Sequence, residues 1–188
     1  MRLILLGPPG SGTGTQGAQL AEHYGATHIS SGELLRQHLA DSTPLGNRVE
    51  DFVRAGQLVP DEIVLALLWE PIVQAVASGG YVLDGFPRTL RQAELAFAQA
   101  SANGVTADAV VYFAVPDEVV LERLRGRAAL GRVDDAEMEV IERRLSVFHE
   151  ETEALVDYYR DRGLLVTVEA DRPPDEVFEA TIKALEGR

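Results

Sequence analysis

The stretch that decides the fold runs from residue 7 to residue 16 and reads Gly7-Pro8-Pro9-Gly10-Ser11-Gly12-Thr13-Gly14-Thr15-Gln16. It follows the short apolar run of residues 1–6, which reads as a buried strand, and precedes a helix-like stretch from Ala18 to Tyr24. A strand, a glycine-rich loop and a helix in this order are typical of a phosphate-binding loop. The glycines let backbone N–H groups turn inward around a phosphate, and the helix N-terminus adds partial positive charge. The stretch therefore predicts nucleotide binding.

Position 13 departs from the usual loop pattern. That pattern places a lysine directly after the second glycine, and Gly7 and Gly12 have the required spacing, but this chain has Thr13 in the lysine position. The lysine ammonium normally reaches the terminal phosphates. The cradle of backbone N–H groups is thus retained without the mobile positive charge, so the loop indicates nucleotide binding more strongly than catalysis.

The composition excludes several classes of protein. The 188 residues are 46% hydrophobic and 25% charged, as in one soluble globular domain, and the chain has no cysteine for disulfides or thiolate metal sites. The net charge of −13 argues against a nucleic-acid partner, and no apolar run reaches membrane-spanning length. We expect a cytoplasmic protein with no membrane or nucleic-acid partner. A monomer is expected, with a dimer left open.

Positive charge in this chain comes almost entirely from arginine. Of the 17 basic residues 16 are arginine, and the single lysine, Lys183, lies in the last helical pattern, far in sequence from the loop. If the loop binds phosphate, arginines must neutralise it. The planar guanidinium group suits this role because it can pair with two phosphate oxygens.

Short apolar runs alternate with longer helical patterns, which is typical of βαβ units and a parallel sheet. Strands are predicted at residues 2–6, 81–84, 109–113 and 164–168, with a shorter one near residues 28–29. A long helix is predicted over residues 136–160, and Asp61 is expected to cap the helix that it precedes. We predict a three-layer α/β fold with a central parallel sheet of five strands and helices on both faces.

Two stretches interrupt this alternation. Residues 30–59 are rich in helix and turn signals, and residues 127–137 are short and polar. Ligands in open α/β sheets bind at the carboxyl ends of the strands, so excursions at that edge are expected to act as covers. The remaining residues, 1–29, 60–126 and 138–188, are predicted to form the core of one domain that spans residues 1–188.

An acidic turn follows the predicted strand at residues 81–84 and reads Asp84-Gly85-Phe86-Pro87-Arg88. If that strand is parallel to the first, Asp84 emerges at the same edge as the phosphate loop. Asp84 could there hold the hydration shell of Mg²⁺ beside the phosphates, and Arg88 could reach a phosphate from the other side. The alternative is a strand-ending turn in which Asp84 caps the next helix.

Several motifs in a fixed order together resemble the adenylate kinase family, in its short form that lacks the long lid. The resemblance covers nearly the whole chain and departs from the family's loop at position 13. The matching segments are Gly7–Gly12 with Gly14-Thr15-Gln16, Ser30-Ser31-Gly32-Glu33-Leu34-Leu35-Arg36, Gly56-Gln57-Leu58-Val59-Pro60-Asp61, Asp84-Gly85-Phe86-Pro87-Arg88-Thr89 with Gln92, Glu122-Arg123-Leu124-Arg125-Gly126-Arg127, Arg132-Val133-Asp134-Asp135 with Arg144-Leu145, and Asp171-Arg172-Pro173.

The resemblance implies a fold, a reaction and a set of site residues. The fold would be that of P-loop nucleoside monophosphate kinases, with residues 30–59 as the cover over AMP and residues 127–137 as a short lid. The reaction would be reversible transfer of the γ-phosphoryl of Mg·ATP to AMP, giving two ADP. ATP would be bound by Gly10, Ser11, Gly12, Thr13, Gly14, Thr15, Arg123, Arg127 and Arg172, and AMP by Ser31, Arg36, Gln57, Val59, Gly85, Arg88, Gln92, Arg132 and Arg144. The catalytic set would be Thr13, Arg88, Arg123, Arg132 and Arg144, with Asp84 holding Mg²⁺ through water.

The arginine set fits the chemistry of phosphoryl transfer, which requires positioning and cancellation of charge spread over several oxygens. No zinc is expected, because the lid segment contains no cysteine and His149 lies outside it. His23, His28, His38 and His149 show no ligand spacing, which favours surface or cap roles. Asp134 and Asp135 are read either as support for the lid exit or as acidic residues at a helix start.

Thr13 leaves three interpretations open. In the first, which we favour because Asp84 and the arginine set are retained, the chain is an active kinase and another group supplies the charge. That group would be K⁺ held by Thr13 and loop carbonyls, or a repositioned arginine. In the second, the chain is a nucleotide-binding pseudokinase with little turnover. In the third, the substitution was introduced to trap a bound state. A kinase for another monophosphate, UMP or CMP, is a further alternative.

Overall fold

The structure is a computed structural model that describes residues 1–128 and 138–188, with the side chains of residues 127 and 128 not described. Its centre is a five-stranded sheet in the order β2-β3-β1-β4-β5, in which every neighbouring pair is parallel. The strands are β1 (Arg2–Leu6), β2 (Thr27–Ser30), β3 (Tyr81–Asp84), β4 (Ala109–Ala114) and β5 (Leu165–Glu169). The predicted parallel five-stranded sheet is confirmed.

Helices connect the strands in the described part of the chain. They are α1 (Thr13–Tyr24), α2 (Ser31–Ala40), α3 (Pro44–Arg54), α4 (Asp61–Ala77), α5 (Leu90–Ala102), α6 (Asp117–Ala128), α7 (Met138–Val147), α8 (Ala154–Asp161) and α9 (Pro174–Glu186). Pro60, and not Asp61, is the N-cap residue of α4, and it makes no side-chain capping hydrogen bond. The expected Asp61 cap was wrong, because the Asp61 carboxylate instead accepts a hydrogen bond from the amide of Gln92.

The helix predicted without interruption over residues 136–160 is interrupted in the structure. A π-helical turn, Phe148–Thr152, separates α7 from α8. Its backbone is marked by a hydrogen bond from the N–H of Glu153 to the carbonyl of Phe148, five residues earlier, at 3.1 Å. The prediction failed because a π turn holds one extra residue, which leaves local composition and hydrophobic period almost unchanged.

Apolar side chains point alternately to the two faces of the sheet and form a hydrophobic layer on each face. Leu3 and Leu5 of β1 are almost fully buried and pack with one cluster, which includes Leu20 of α1 and Val177 of α9. Ile4 points to the opposite face, where it packs against clusters that include residues of α4 and α8. Burying a side chain of this size contributes about 1.5–3 kcal/mol, so the two layers hold the sheet between helices. This is the predicted three-layer arrangement.

The register of the strands brings their carboxyl ends to one edge. Asp84 at the end of β3 is aligned with Ser30 of β2 and Leu5 of β1. The segments that follow these strands, which begin at Gly7, Ser31 and Gly85, therefore leave the sheet side by side. Within the described residues, none of the helices is both long and apolar enough to cross a membrane.

Candidate functional site

A cavity of about 860 Å³ opens at the edge where β1, β2 and β3 end. Its volume lies within the range of about 300–1,000 Å³ that is usual for small-molecule sites. Every predicted site residue whose side chain the structure describes lines this cavity: Gly10, Ser11, Gly12, Thr13, Gly14, Thr15, Ser31, Arg36, Gln57, Val59, Asp84, Gly85, Arg88, Gln92, Arg123, Arg144 and Arg172. Arg132 and the side chain of Arg127 lie outside the described residues. Segments far apart in sequence therefore converge on one site.

The phosphate-binding loop forms the floor of the cavity. Gly12 has a φ of 102°, a left-handed conformation that favours glycine, and it lets the chain enter α1 at Thr13, before the helix-like stretch that the sequence analysis begins at Ala18. The N–H of Gln16 bonds to the carbonyl of Gly12 at 2.9 Å. As at any helix start, the N–H groups of the first turn have no partner within the helix. The loop thus presents backbone donors and the positive end of the helix dipole to an anion.

Asp84 lies at the end of β3 and is 7% exposed. Its Oδ2 lies 3.0 Å from Nε2 of His28, on the neighbouring strand β2. Oδ2 would also lie 3.7 Å from a Cβ added at Gly14, so the carboxylate faces the first turn of α1. The cap role left open for Asp84 does not hold, since Thr89 is the N-cap residue of α5 and accepts the capping hydrogen bond from Gln92.

His28 is a site residue that the sequence analysis missed, because it expected surface or cap roles for the histidines. His28 lines the cavity and its side chain is about one-fifth exposed. Space for the imidazole comes from Gly17, in the interior of α1, where a Cβ would lie 2.4 Å from His28 Nε2. A glycine inside a helix costs about 1 kcal/mol relative to alanine. Gly17 was the available signal that something packs closely there.

The loop after β3 holds Arg88 by its backbone and its side chain. The Nε–H of Arg88 donates to the carbonyl of Gly85 at 2.8 Å, and the backbone N–H donates to Oε1 of Gln92 at 2.8 Å. The hydroxyl of Thr152 donates to the carbonyl of Arg88 at 2.8 Å. Ser31 donates to the same Gly85 carbonyl at 2.7 Å. These bonds orient a guanidinium group at the wall of the cavity.

Gln92 is 2% exposed, and its amide is engaged at both ends. Its oxygen accepts from the backbone of Arg88, and its nitrogen donates to Asp61 Oδ1 at 2.9 Å. Asp61 follows the segment Gly56–Pro60, so Gln92 joins that segment to the Arg88 loop. In this arrangement Gln92 supports Arg88, a function that the sequence analysis did not foresee.

Arg123 of α6 also lines the cavity, where it contacts the phosphate-binding loop. Its guanidinium donates through Nη1 to the carbonyl of Ser11 and through Nη2 to the carbonyl of Arg172, both at 3.4 Å. Ser11 is two residues before Thr13 in the loop. A fixed cationic group therefore lies against the loop that lacks its lysine.

Arg36 and Arg144 extend the positive charge around the cavity from α2 and α7. Nη1 of Arg36 would lie 3.1 Å from a Cβ at Gly32, so the guanidinium folds back on the first turn of its own helix. The Cγ of Arg144 would lie 3.0 Å from a Cβ at Gly56, which has a φ of 67°. Glycine is needed at position 56 for both reasons.

A divalent cation fits this donor set in one way only. Among the described residues, no group of three or more His, Asp or Glu side chains could hold a metal ion by itself. Mg²⁺ usually keeps several waters and uses one or two carboxylates together with substrate phosphates. Asp84, a single carboxylate facing the phosphate loop, suits that mode.

Comparisons with known proteins point to one family. The sequence profile of the family described as "Adenylate kinase" matches residues 5–164. The chain is 42% identical over 185 residues to an adenylate kinase from Corynebacterium glutamicum, covering 98% of this chain and 99% of the relative. It is 46% identical over 176 residues to adenylate kinase 1 from Nostoc sp., covering 94% of each chain. It is 37% identical over 212 residues to an adenylate kinase from Lachnospira eligens, covering 98% of this chain and all of the relative.

Proposed function

This chain belongs to the adenylate kinase family, and we propose that the cavity at the carboxyl ends of β1, β2 and β3 is where the γ-phosphoryl group of Mg·ATP passes to AMP, giving two ADP. One observation carries the proposal: the phosphate loop and the Arg88 loop line the same cavity. A donor phosphate on the first and an acceptor phosphate beside the second would meet between them. In-line transfer requires this approach.

The residues of the chain position the two anions and offset their repulsion. Backbone N–H groups at the start of α1 hold the donor phosphates, with Arg123 and Arg172 beside them. Arg88, Arg36 and Arg144 hold the acceptor phosphate. Positioning and charge cancellation account for most of the catalysis in phosphoryl transfer, so no covalent intermediate is needed.

Asp84 would hold the hydration shell of Mg²⁺ when the ion enters with ATP, and the ion would supply positive charge that offsets the charge of the phosphates. His28 fixes the orientation of the Asp84 carboxylate. Residues 30–59 cover AMP, with Ser31, Gln57, Val59, Gly85 and Gln92 around the nucleoside. The predicted lid over ATP, residues 127–137 with Arg127 and Arg132, falls on residues 129–137 and on side chains outside the described part of the chain. Closure of the cover over AMP excludes water, which protects against ATP hydrolysis.

The charge that the loop lysine would supply comes from a substitute. Arg123 is the candidate that the contacts support, because its Nη1 donates to Ser11 in the loop itself. A monovalent cation, K⁺, held by Thr13 and loop carbonyls is the second candidate. It rests only on the hydroxyl of Thr13 and its place at the cavity wall.

An active ATP:AMP enzyme is favoured over a pseudokinase or a UMP/CMP kinase. The relatives named above are all called adenylate kinase, and they match over at least 94% of this chain. A binding module would have little need of the whole arginine set. We further propose a cytoplasmic monomer.

Thermal unfolding with a bisubstrate ligand tests the shared cavity. A dinucleoside pentaphosphate that joins two adenosines should raise Tm more than ATP or AMP does at the same concentration, because it occupies both halves at once. Arg88→Ala should reduce the shift. A coupled assay of ADP production, with AMP, UMP and CMP as acceptors, identifies the reaction. No Tm shift with the bisubstrate ligand, or no ADP formed from ATP and AMP, would contradict the proposal.

A further inference from the structure

Thr152 is a buried polar residue with a specific partner in the site. It is 7% exposed, lies at the cavity wall, and donates its hydroxyl hydrogen to the carbonyl oxygen of Arg88 at 2.8 Å. The two residues are 64 positions apart in sequence. A part-buried carbonyl that loses its donor is left unsatisfied at a cost in free energy, so this bond constrains the Arg88 loop.

The π turn places Thr152 where it can make this bond. Thr152 is the last residue of the turn, which lies between Arg144 of α7 and the start of α8. In a regular α-helix, residues eight positions apart lie about 80° apart around the axis. One extra residue within a turn brings them back to within about 20° of each other. Both Arg144 and Thr152 consequently face the cavity.

Thr152 restrains Arg88 together with two residues from other segments of the chain. Gln92 of α5 accepts from its backbone N–H, and Gly85 accepts from its Nε–H. Thr152 holds its carbonyl from a third element of the fold. Two of these partners hold the backbone of Arg88, Gln92 at its N–H and Thr152 at its carbonyl. Displacement of the loop would move the guanidinium group within the cavity.

We propose that Thr152 is a positioning residue for Arg88, and that the π turn exists to deliver its hydroxyl to the Arg88 carbonyl. The inference rests on the proposed function, in which Arg88 binds the phosphate of AMP. Thr152 acts only through Arg88. Its loss should therefore affect AMP and not ATP.

The test compares Thr152→Val, which removes the hydroxyl at nearly constant shape, with Thr152→Ser, which keeps it. Thr152→Val should lower kcat/KM for AMP by about 10- to 100-fold, the effect of a misplacement of about 1 Å. It should leave the binding of ATP, measured by calorimetry, unchanged. Thr152→Ser should restore kcat/KM for AMP.

Thr181→Val provides the matched control. Thr181 is fully buried in α9, and its hydroxyl donates to the carbonyl of Val177 at 2.7 Å. The same chemical change there should lower Tm without changing kcat/KM for AMP. The inference is overturned if Thr152→Val changes Tm alone, as the control does, or weakens ATP and AMP equally.

A double-mutant cycle separates this inference from the proposed function. In an Arg88→Ala background, Thr152→Val should have no further effect on AMP kinetics, because the residue through which it acts is gone. If Arg88→Ala itself leaves AMP binding unchanged, the proposed function of Arg88 is wrong and the inference is overturned with it. If Arg88→Ala weakens AMP binding and Thr152→Val does not, the inference alone is wrong.

Discussion

Nε2 of His28 and Oδ2 of Asp84 lie 3.0 Å apart, between the carboxyl ends of two neighbouring parallel strands. Gly17 of α1 leaves the space in which the imidazole lies. A histidine on one strand, a carboxylate on the next and a glycine on the facing helix therefore form one unit. Its geometry fixes the direction in which Asp84 faces the phosphate loop.

Gly17→Ala should break this unit. An alanine inside a helix normally stabilises it by about 1 kcal/mol relative to glycine. Here the added Cβ would lie 2.4 Å from Nε2, and the ring must move away from Asp84. We expect a net loss of about 1 kcal/mol in the free energy of unfolding, because a hydrogen bond to a charged group contributes about 1.5–3 kcal/mol. Chemical denaturation measures the change.

Gly126→Ala is the control for this prediction. Gly126 lies in α6, and a Cβ there would meet no atom of the described residues within 4 Å. This substitution should raise the free energy of unfolding by about 1 kcal/mol, the usual effect of replacing glycine by alanine inside a helix. Equal stabilisation by both substitutions would mean that the His28–Asp84 contact contributes nothing.

Asp84→Asn should raise the Mg²⁺ concentration required for half-maximal ADP production by about 10- to 100-fold, the usual cost of losing a group that orients a metal's ligands. The amide keeps the shape of the carboxylate but removes its charge. Binding of AMP alone, measured by calorimetry, should not change. An unchanged Mg²⁺ dependence would show that Asp84 does not act on the metal.

Thr13→Lys should restore the mobile charge of the loop. One preorganised donor to a developing charge is worth about 10²- to 10³-fold in kcat, so we expect a gain of that order if nothing in the wild-type chain replaces the lysine completely. The coupled assay should be run in K⁺ and in tetramethylammonium chloride. A wild-type rate that rises with K⁺, in a dependence that Thr13→Lys abolishes, identifies the cation as the substitute.

Equal wild-type rates in the two salts would contradict a role for K⁺ and leave Arg123 as the substitute. In that case Arg123→Ala should lower kcat strongly in the wild-type background and less in Thr13→Lys. Equal effects of Arg123→Ala in both backgrounds would show that Arg123 does not replace the lysine.

Asp108→Asn tests the pH dependence of the ion pair between Arg2 of β1 and Asp108, the residue before β4. Burial alone would raise the pKa of Asp108, but hydrogen bonds from Arg2 and the charges of Arg2 and the N-terminus outweigh it and lower that pKa below its usual value. A carboxyl whose pKa is lower in the folded state adds stability above its unfolded pKa of about 3.9 and loses it as pH falls through the folded value. The variant should be less stable at neutral pH, and the difference should shrink below about pH 4.

The expected size of this effect is small. The side chains of Arg2 and Asp108 are 29% and 39% exposed, so solvent screening limits the contribution to about 1 kcal/mol or less. Asp157→Asn, which removes an exposed partner of Arg160, should give no measurable change in the urea midpoint at any pH. A constant difference between wild type and Asp108→Asn from pH 7 to pH 3 would contradict the linkage.

Local sequence was sufficient to predict the sheet and the segments that form the cavity. The loop at residues 7–16 and the turn at residues 84–88 are contiguous, and glycine spacing and apolar alternation report directly on backbone conformation. Because parallel strands end at one edge, the order of the motifs also predicted that they would meet. Arg132 and the side chain of Arg127 lie outside the described residues, and their function stays a prediction.

The contacts within the site were decided by the tertiary structure. His28, Thr152 and the Asp61 partner of Gln92 bond to residues that are 56, 64 and 31 positions away. A histidine or threonine in isolation has no local pattern that identifies such a partner. The sequence by itself thus determined the parallel sheet and the phosphate loop, because periodicity and glycine placement act within a few residues. Only the folded chain decided how Asp84 and Arg88 are held, because a hydrogen bond between distant residues depends on strand register and helix rotation, which the whole core sets together.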